Sequence, residues 1–275
     1  MDLHSFTICD LFKRSARLYR AKTALRFDGK EITFGELFDQ ITALTGWFIA
    51  KGLSKGDRIA VLTKNRPEFF PLIGAAAASG TIMVPINFRL STDELKYILS
   101  DIEPVVFFFE PDFEQIIPGV SSACRSLREL IIFGPSKENY ISFNSLLKNR
   151  PGEPVELRDD SPVVIIHTAV TQGQPRGSLI SHRNLLSCMS QVVHLGGLTH
   201  RDIYLNILPL FHIVGLMTAL TIVHVGGTNV VVSKFDPNAS GKLIDQEKVT
   251  LIGDFPPILS QLLDEQAKGE VRFHL

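Results

Sequence analysis

The chain has 275 residues, enough for one large domain or two ordinary ones. Hydrophobic residues make up 45% and charged residues 21%, which permits a sizeable core. Lys and Arg number 28 against 29 Asp and Glu, a net charge of −1, without the basic excess of a nucleic-acid or membrane-surface protein.

Cys9, Cys124 and Cys188 are odd in number and far apart, with no CxxC pair, so neither a zinc site nor a disulfide framework is expected. The opening "MDLHSFTICD" has neither the basic region nor the apolar stretch of a signal peptide, and a cytoplasmic location is expected. Two apolar segments resemble membrane spans. "FFPLIGAAAASGTIMVPINF" holds two prolines, two glycines and an Asn, and "LMTALTIVHVGGTNVVV" is broken by His224 and a Gly pair. Each reads as a buried helix feeding a buried strand, with no membrane span.

In chain order, Thr33 and Glu36 have capping-box spacing. Leu37, Ile41, Leu44 and Phe48 then recur on one helical face until Gly52. "DRIAVLT" is a strand. Asn65 and Glu68 repeat the cap spacing, with Pro67 in the first turn of a helix running to Gly80. "TIMVPI" is the next strand, Ser91 and Glu94 open another helix, and "PVVFFF" and "ELIIF" follow as strands. Residues 134–161, with five prolines and glycines among charges, form a looser connection. Alternation resumes with strand "PVVIIH", the loop "HTAVTQGQPRG" and a helix from about His182. Strand "IYLNIL", a helix over 212–224, strand "TNVVVS", a helix near 237–247, strand "VTLIG" and a helix from Pro256 complete it. Wholly apolar strands alternating with helices predict an α/β fold: two consecutive modules, 1–150 and 155–275, with largely parallel sheets covered by helices. The second carries the loop and is expected to be incomplete at its C-terminus.

The loop lies where open α/β sheets bind ligands, at the carboxyl end of a strand. Its glycines could form an anion-binding nest, with Thr168, Thr171 and Arg176 as donors. An ordinary strand-to-helix turn uses the same residue types, so the loop alone leaves both readings open. In "LPLFHIVGL", His212 stands at a strand end before an apolar helix. It is read either as a helix-start residue packed in the core or as a polar group lining a cleft. The other histidines have no metal-ligand spacing, and no G-x-S-x-G elbow occurs.

Taken together the motifs resemble those of the AMP-forming acyl-CoA synthetase superfamily. The loop resembles [YF]-T-S-G-T-T-G-x-P-K-G, and "SLISHRN" its continuation V-x-x-[ST]-H-x-N. "ITFGELFDQITALTGWFIAKGLSKGDRIAVLTKNRPEF", "VPINFRLSTDELKYILSDIEP", "LPLFHIVGL", "GGTNVVVSKFDP" and "DFPPIL" then appear in family order. The resemblance implies a ligase in which a carboxylate, fatty or of a related organic acid, attacks the α-phosphorus of ATP with Mg2+. The acyl-adenylate then passes its acyl group to coenzyme A. It further implies that Thr168, Thr171, Gly173, Arg176 and Gly177, with Pro175, hold phosphates, Arg176 replacing the usual Lys. His212 would position the carboxylate and shape the acyl channel.

The loop departs from the pattern at His167, Ala169, Val170 and Gln172, where an aromatic, Ser, Gly and Thr are usual. One lost hydrogen bond to a charged oxygen costs roughly 1.5–3 kcal/mol, so weaker triphosphate binding is expected. The family's G-x-T-E element, ribose-binding Asp, hinge and catalytic Lys do not follow "DFPPILSQLLDEQAKGEVRFHL". The sequence is therefore read as the N-terminal part of such a ligase, and the 275-residue chain alone is not expected to complete the reaction. The alternatives are a non-catalytic module that binds an acyl group or a partner, and a split enzyme completed by a second polypeptide. Self-association through an uncovered apolar surface is also expected.

Overall fold

A computed structural model describes residues 6–122, 124–168, 174–253, 255–269 and 271. It is an α/β protein with two largely parallel sheets and helices around them. Sheet one has seven strands in the order β7-β6-β5-β3-β4-β8-β9. These are β3 (Arg58–Leu62), β4 (Ile82–Ile86), β5 (Val106–Phe109), β6 (Glu129–Ile132), β7 (Ile141–Ser142), β8 (Pro162–His167) and β9 (Gly177–Ser181). All pair in parallel except β9, which runs antiparallel to β8. Sheet two has the order β12-β10-β11-β1-β2. It comprises β1 (Thr23–Phe27), β2 (Lys30–Thr33), β10 (Ile203–Asn206), β11 (Thr228–Val231) and β12 (Leu251–Ile252), only β2 antiparallel.

The apolar strands of sheet one are explained by burial on both faces. Ile59, Val61, Val106 and Phe108 join the central core, whereas Ala60, Leu62, Phe107 and Phe109 join the core beneath α4 (Thr92–Ile102) and α5 (Ile117–Ser121). The central core, between the sheets, is filled by α1 (Ile8–Tyr19), α2 (Phe34–Ala50), α3 (Phe69–Ser79) and α8 (Ile213–Val225). Every residue of α3 is buried, so this span-like stretch is a helix apolar all round because protein surrounds it. Among the described residues no helix is long and apolar enough to cross a membrane. The outer face of sheet two packs on α9 (Pro237–Gln246) and α10 (Pro256–Ala267). Cys9, Cys124 and Cys188 are free thiols.

Sheet membership crosses the expected module boundary. β8 and β9 join the first sheet, and the N-terminal β1 pairs in parallel with β11, Leu25 opposite Asn229. The structure shows why α1 accompanies β1. The last carbonyls of a helix lack partners within it, and α1 and its following turn supply them to α8. Ser15 donates to the Val223 carbonyl at 2.9 Å, Arg14 to that of His224, and Lys22 to that of Gly226. Within residues 134–161, β7 and α6 (Phe143–Leu146) are ordered elements, and Gly152 N–H to the Thr42 carbonyl fastens the remainder to α2.

Candidate functional site at the carboxyl ends of the strands

Among the described residues four capping boxes fix helix starts: Thr7 with Asp10, Thr33 with Glu36, Ser91 with Glu94, and Ser181 with Asn184. Asn65 does otherwise. Helix α3 begins at Phe69 with Glu68 as an N-cap whose side chain makes no capping bond, so Asn65 does not cap it as expected. The Asn65 amide leaves its own strand end and bridges to the other sheet. Nδ2 donates to the Leu208 carbonyl at 2.9 Å and to that of Asn206 at 3.5 Å, while Oδ1 accepts from Leu210 N–H at 2.8 Å. Phe88, after β4, adds an edge-to-face contact with Phe211 at 5.5 Å. The carboxyl ends of β3 and β4 thus hold the segment that delivers His212.

His212 is the N-cap of α8, and its Nδ1 accepts from Val214 N–H at 3.3 Å. Residues 207–211 separate it from β10, so it does not stand at the strand end as read from sequence. It is exposed rather than packed in the core. With Nδ1 occupied by the backbone, Nε2 is the ring atom available to a ligand.

The other half of the site is the β8–β9 hairpin. His167 pairs with Gly177, and beyond them Thr168 N–H donates to the Arg176 carbonyl at 3.0 Å. Thr168 Oγ1 reaches the same carbonyl at 3.4 Å. Thr168 and Arg176 are exposed, Pro175 is buried, and Arg176 makes no ion pair among the described residues. Thr171 and Gly173, with Ala169, Val170 and Gln172, lie outside the described residues. Gly177 has a packing reason: a Cβ there would stand 2.7 Å from Ile165 Cγ2 and 3.4 Å from His167 Nε2. Both ring nitrogens of His167 are buried without a partner among the described residues, and burial holds its pKa below the ordinary imidazole value, Asp101 acting in the opposite sense. Strand β4 couples the two halves. It pairs with β8, Met83 opposite Val164, and its following Phe88 touches the neighbour of His212.

His182, the first residue of α7 (His182–Gly196), is fully buried and serves the scaffold. Its Nδ1 accepts from Ile8 N–H at 3.2 Å, tying α1 to the hairpin's exit. Next to it Arg183 grips Asp159 with two bonds, at 2.9 and 2.6 Å. The sequence pointed to His182 as a helix start but not to its long-range partner. Asn65 stood in a quoted motif, yet its spacing matched a cap and concealed its bridging role.

The AMP-binding enzyme family profile matches residues 12–274. The chain belongs to the AMP-binding enzyme family. Among curated relatives, it is 31% identical over 255 residues to indoleacetate–CoA ligase of Aromatoleum aromaticum, covering 91% of this chain and 50% of that protein. It is 31% identical over 245 residues to feruloyl-CoA synthase of an Amycolatopsis species, covering 88% and 47%. The chain spans about half the length of the curated relatives it matches. A Rhodopseudomonas palustris structure named for a long-chain-fatty-acid–CoA ligase superposes with a TM-score of 0.92 at 35% identity, over 98% of this chain and 68% of that one. The N-terminal domain of FACL13 from Mycobacterium tuberculosis gives 0.87 at 26% identity, over 96% and 67%.

Proposed function

We propose that this chain forms the phosphate- and acid-binding side of an AMP-forming carboxylic acid–CoA ligase. The observation that carries the reading is the β8–β9 hairpin, which holds Thr168 and Arg176 exposed at the carboxyl end of sheet one, within a family match over 12–274. A triphosphate would find there a hydroxyl bonded only weakly to backbone and a guanidinium free of carboxylates among the described residues. Thr171 and Gly173 complete the proposed phosphate loop. Mg2+, when bound, would neutralise charge between phosphate oxygens. No group of three or more His, Cys, Asp or Glu assembles among the described residues.

His212, capping α8 through Nδ1, would present Nε2 to the acid's carboxylate and so orient it toward the phosphates. The acid is a small carboxylic acid. Relatives are named for indoleacetate, ferulate and 4-hydroxybutyrate as well as for long-chain fatty acids, so the fatty acid expected from the motifs is one member of a wider range. Coenzyme A, as acceptor, belongs to the ligase as a whole. Because the chain spans half of its curated relatives, thioester release by the 275 residues alone is not part of the assignment.

Calorimetric titration with Mg-ATP tests the reading. Saturable binding is expected, weakened about tenfold or more by Arg176→Gln, since a charged hydrogen bond is worth about 1.5–3 kcal/mol. Absence of binding to the folded chain refutes it. The substitutions Ala169, Val170 and Gln172 favour a second reading, a non-catalytic module. That reading expects acyl-ligand or partner binding without Mg-ATP.

A further inference from the structure

The inner face of sheet two carries polar side chains that its burial does not explain. Tyr204, Asn206 and Asn229 are each fully buried. Among the described residues the Tyr204 hydroxyl and both amide atoms of Asn206 have no hydrogen-bond partner, and Asn229 retains an unpartnered Oδ1 after donating to the Ala219 carbonyl of α8. The Asn206 backbone carbonyl, by contrast, accepts from Val232 N–H and from Asn65. A buried polar atom left unpaired is strongly disfavoured, so a set of them on one face implies a polar occupant.

Register places these groups together. Tyr204 lies opposite Asn229 of β11 and Leu251 of β12, and Tyr204 and Asn206, two residues apart, share a face. The donation from Asn229 to Ala219 identifies that face as the one beneath α8. Although Tyr204 pairs with Leu251, its hydroxyl leans toward the carboxyl end: a Cβ built on Gly253 would stand 3.0 Å from it. Continuing the Leu205–Ile252 pairing puts Asn206 at the level of Gly253. A phenolic donor and an amide with both donor and acceptor therefore reach one level, without bonding to each other. Gly253 and Leu208 beside them are only half-buried, and the strand end continues through residues 207–211 to His212. Burial pushes the Tyr204 phenol upward, so it stays protonated as a donor.

The geometry points to a hydrogen-bonding subsite beneath α8, formed by Tyr204 and Asn206, that takes the hydroxyl of a hydroxyl-bearing carboxylic acid. This rests on the ligase reading above and names its substrate class. The hydroxyl accepts from Tyr204 Oη or Asn206 Nδ2 and donates to Asn206 Oδ1. Its carboxylate lies at the His212 end of the same helix. A hydroxyl, which both donates and accepts, suits the pair better than a methyl group, which leaves every atom unpaired.

The test titrates the full chain with matched acids differing by hydroxyl for methyl: 4-hydroxybutyrate against pentanoate, and 4-hydroxybenzoate against 4-methylbenzoate. The hydroxyl member of at least one pair is expected to bind about tenfold more tightly or better. Tyr204→Phe and Asn206→Leu should each reduce that preference several-fold while leaving the unfolding midpoint equal or higher, because each removes an unpaired buried polar group. A preference absent from both pairs, or one surviving both substitutions, overturns the subsite while leaving the ligase reading intact. So does a structure in which ordered water fills the position with acid bound elsewhere. Failure of every acid and of Mg-ATP to bind overturns both proposals.

Discussion

Acidification should loosen the attachment of α1 through His182, and the size of the effect follows from the geometry. The fully buried imidazole accepts Ile8 N–H on Nδ1, which requires the neutral ring. Burial lowers its pKa from 6.5 to about 4, against the opposing influence of Asp10 and Asp159. The unfolded chain therefore binds more protons than the folded one between these values. The stability from the neutral ring is fully present above 6.5 and is lost as pH falls toward about 4. Integrating this linkage from about pH 7 to about pH 5 gives a loss of about 2 kcal/mol for this one residue. His224, held down to about 4 by burial and then by Arg14, titrates in the same direction. Urea unfolding at a series of pH values separates the two. His182→Asn keeps an acceptor oxygen for Ile8 N–H but cannot titrate, so its profile should be shallower than the parent's by about 2 kcal/mol over that range. Superimposable pH profiles for parent and variant would refute the argument.

Asn65→Ala strips the two sheets of three hydrogen bonds and leaves Leu210 N–H and the Leu208 carbonyl unpaired. A loss of about 2–4 kcal/mol is expected in equilibrium unfolding, and a loss below about 1 kcal/mol would show that the bridge is dispensable. Gly177→Ala places a Cβ 2.7 Å from Ile165 Cγ2 without any positive-φ strain, so about 1–3 kcal/mol should be lost through contact alone. An unchanged unfolding midpoint would contradict this. Leu179, 59% exposed on edge strand β9, should promote self-association that Leu179→Lys suppresses. Light scattering from a clean parent monomer over a wide concentration range would count against it.

The central strands of sheet one were legible because their cause is local. Strands buried on both faces need uninterrupted apolar runs, and "RIAVL", "IMVPI" and "VFFF" are such runs. The span-like segments resolved into helix plus strand, α3 with β4 and α8 with β11, as their glycines and polar breaks implied. Other elements escaped, and α1, the β1–β2 hairpin and β9 show why. α1 carries its own Thr7–Asp10 box, and β1–β2 turn through Asp28 and Gly29, both at positive φ, a short-range hairpin signal. Strand β9 was hidden because the phosphate-loop pattern leads the eye from strand directly to helix. Sheet membership could not be read locally: the pairing of Leu25 with Asn229 joins positions at opposite ends of the chain.

The candidate site shows why spacing alone misleads. Thr33, Asn65 and Ser91 all precede a Glu by three residues, yet only the first and third cap a helix. A Thr or Ser hydroxyl has one proton to give, and the Glu of the box takes it, as at Thr33 Oγ1 to Glu36 Oε2. An Asn side chain offers two donors and an acceptor in one plane, enough to serve one N–H and two carbonyls at once. Where a neighbouring strand end presents such backbone groups, the amide gains more bonds by crossing to them than by capping its own helix. Glu68 then turns to Arg66, at 2.7 and 2.8 Å, instead of closing a box. The difference between a local cap and a bridge between sheets was therefore written in the residue type, while the partner that decided it lay 145 residues away.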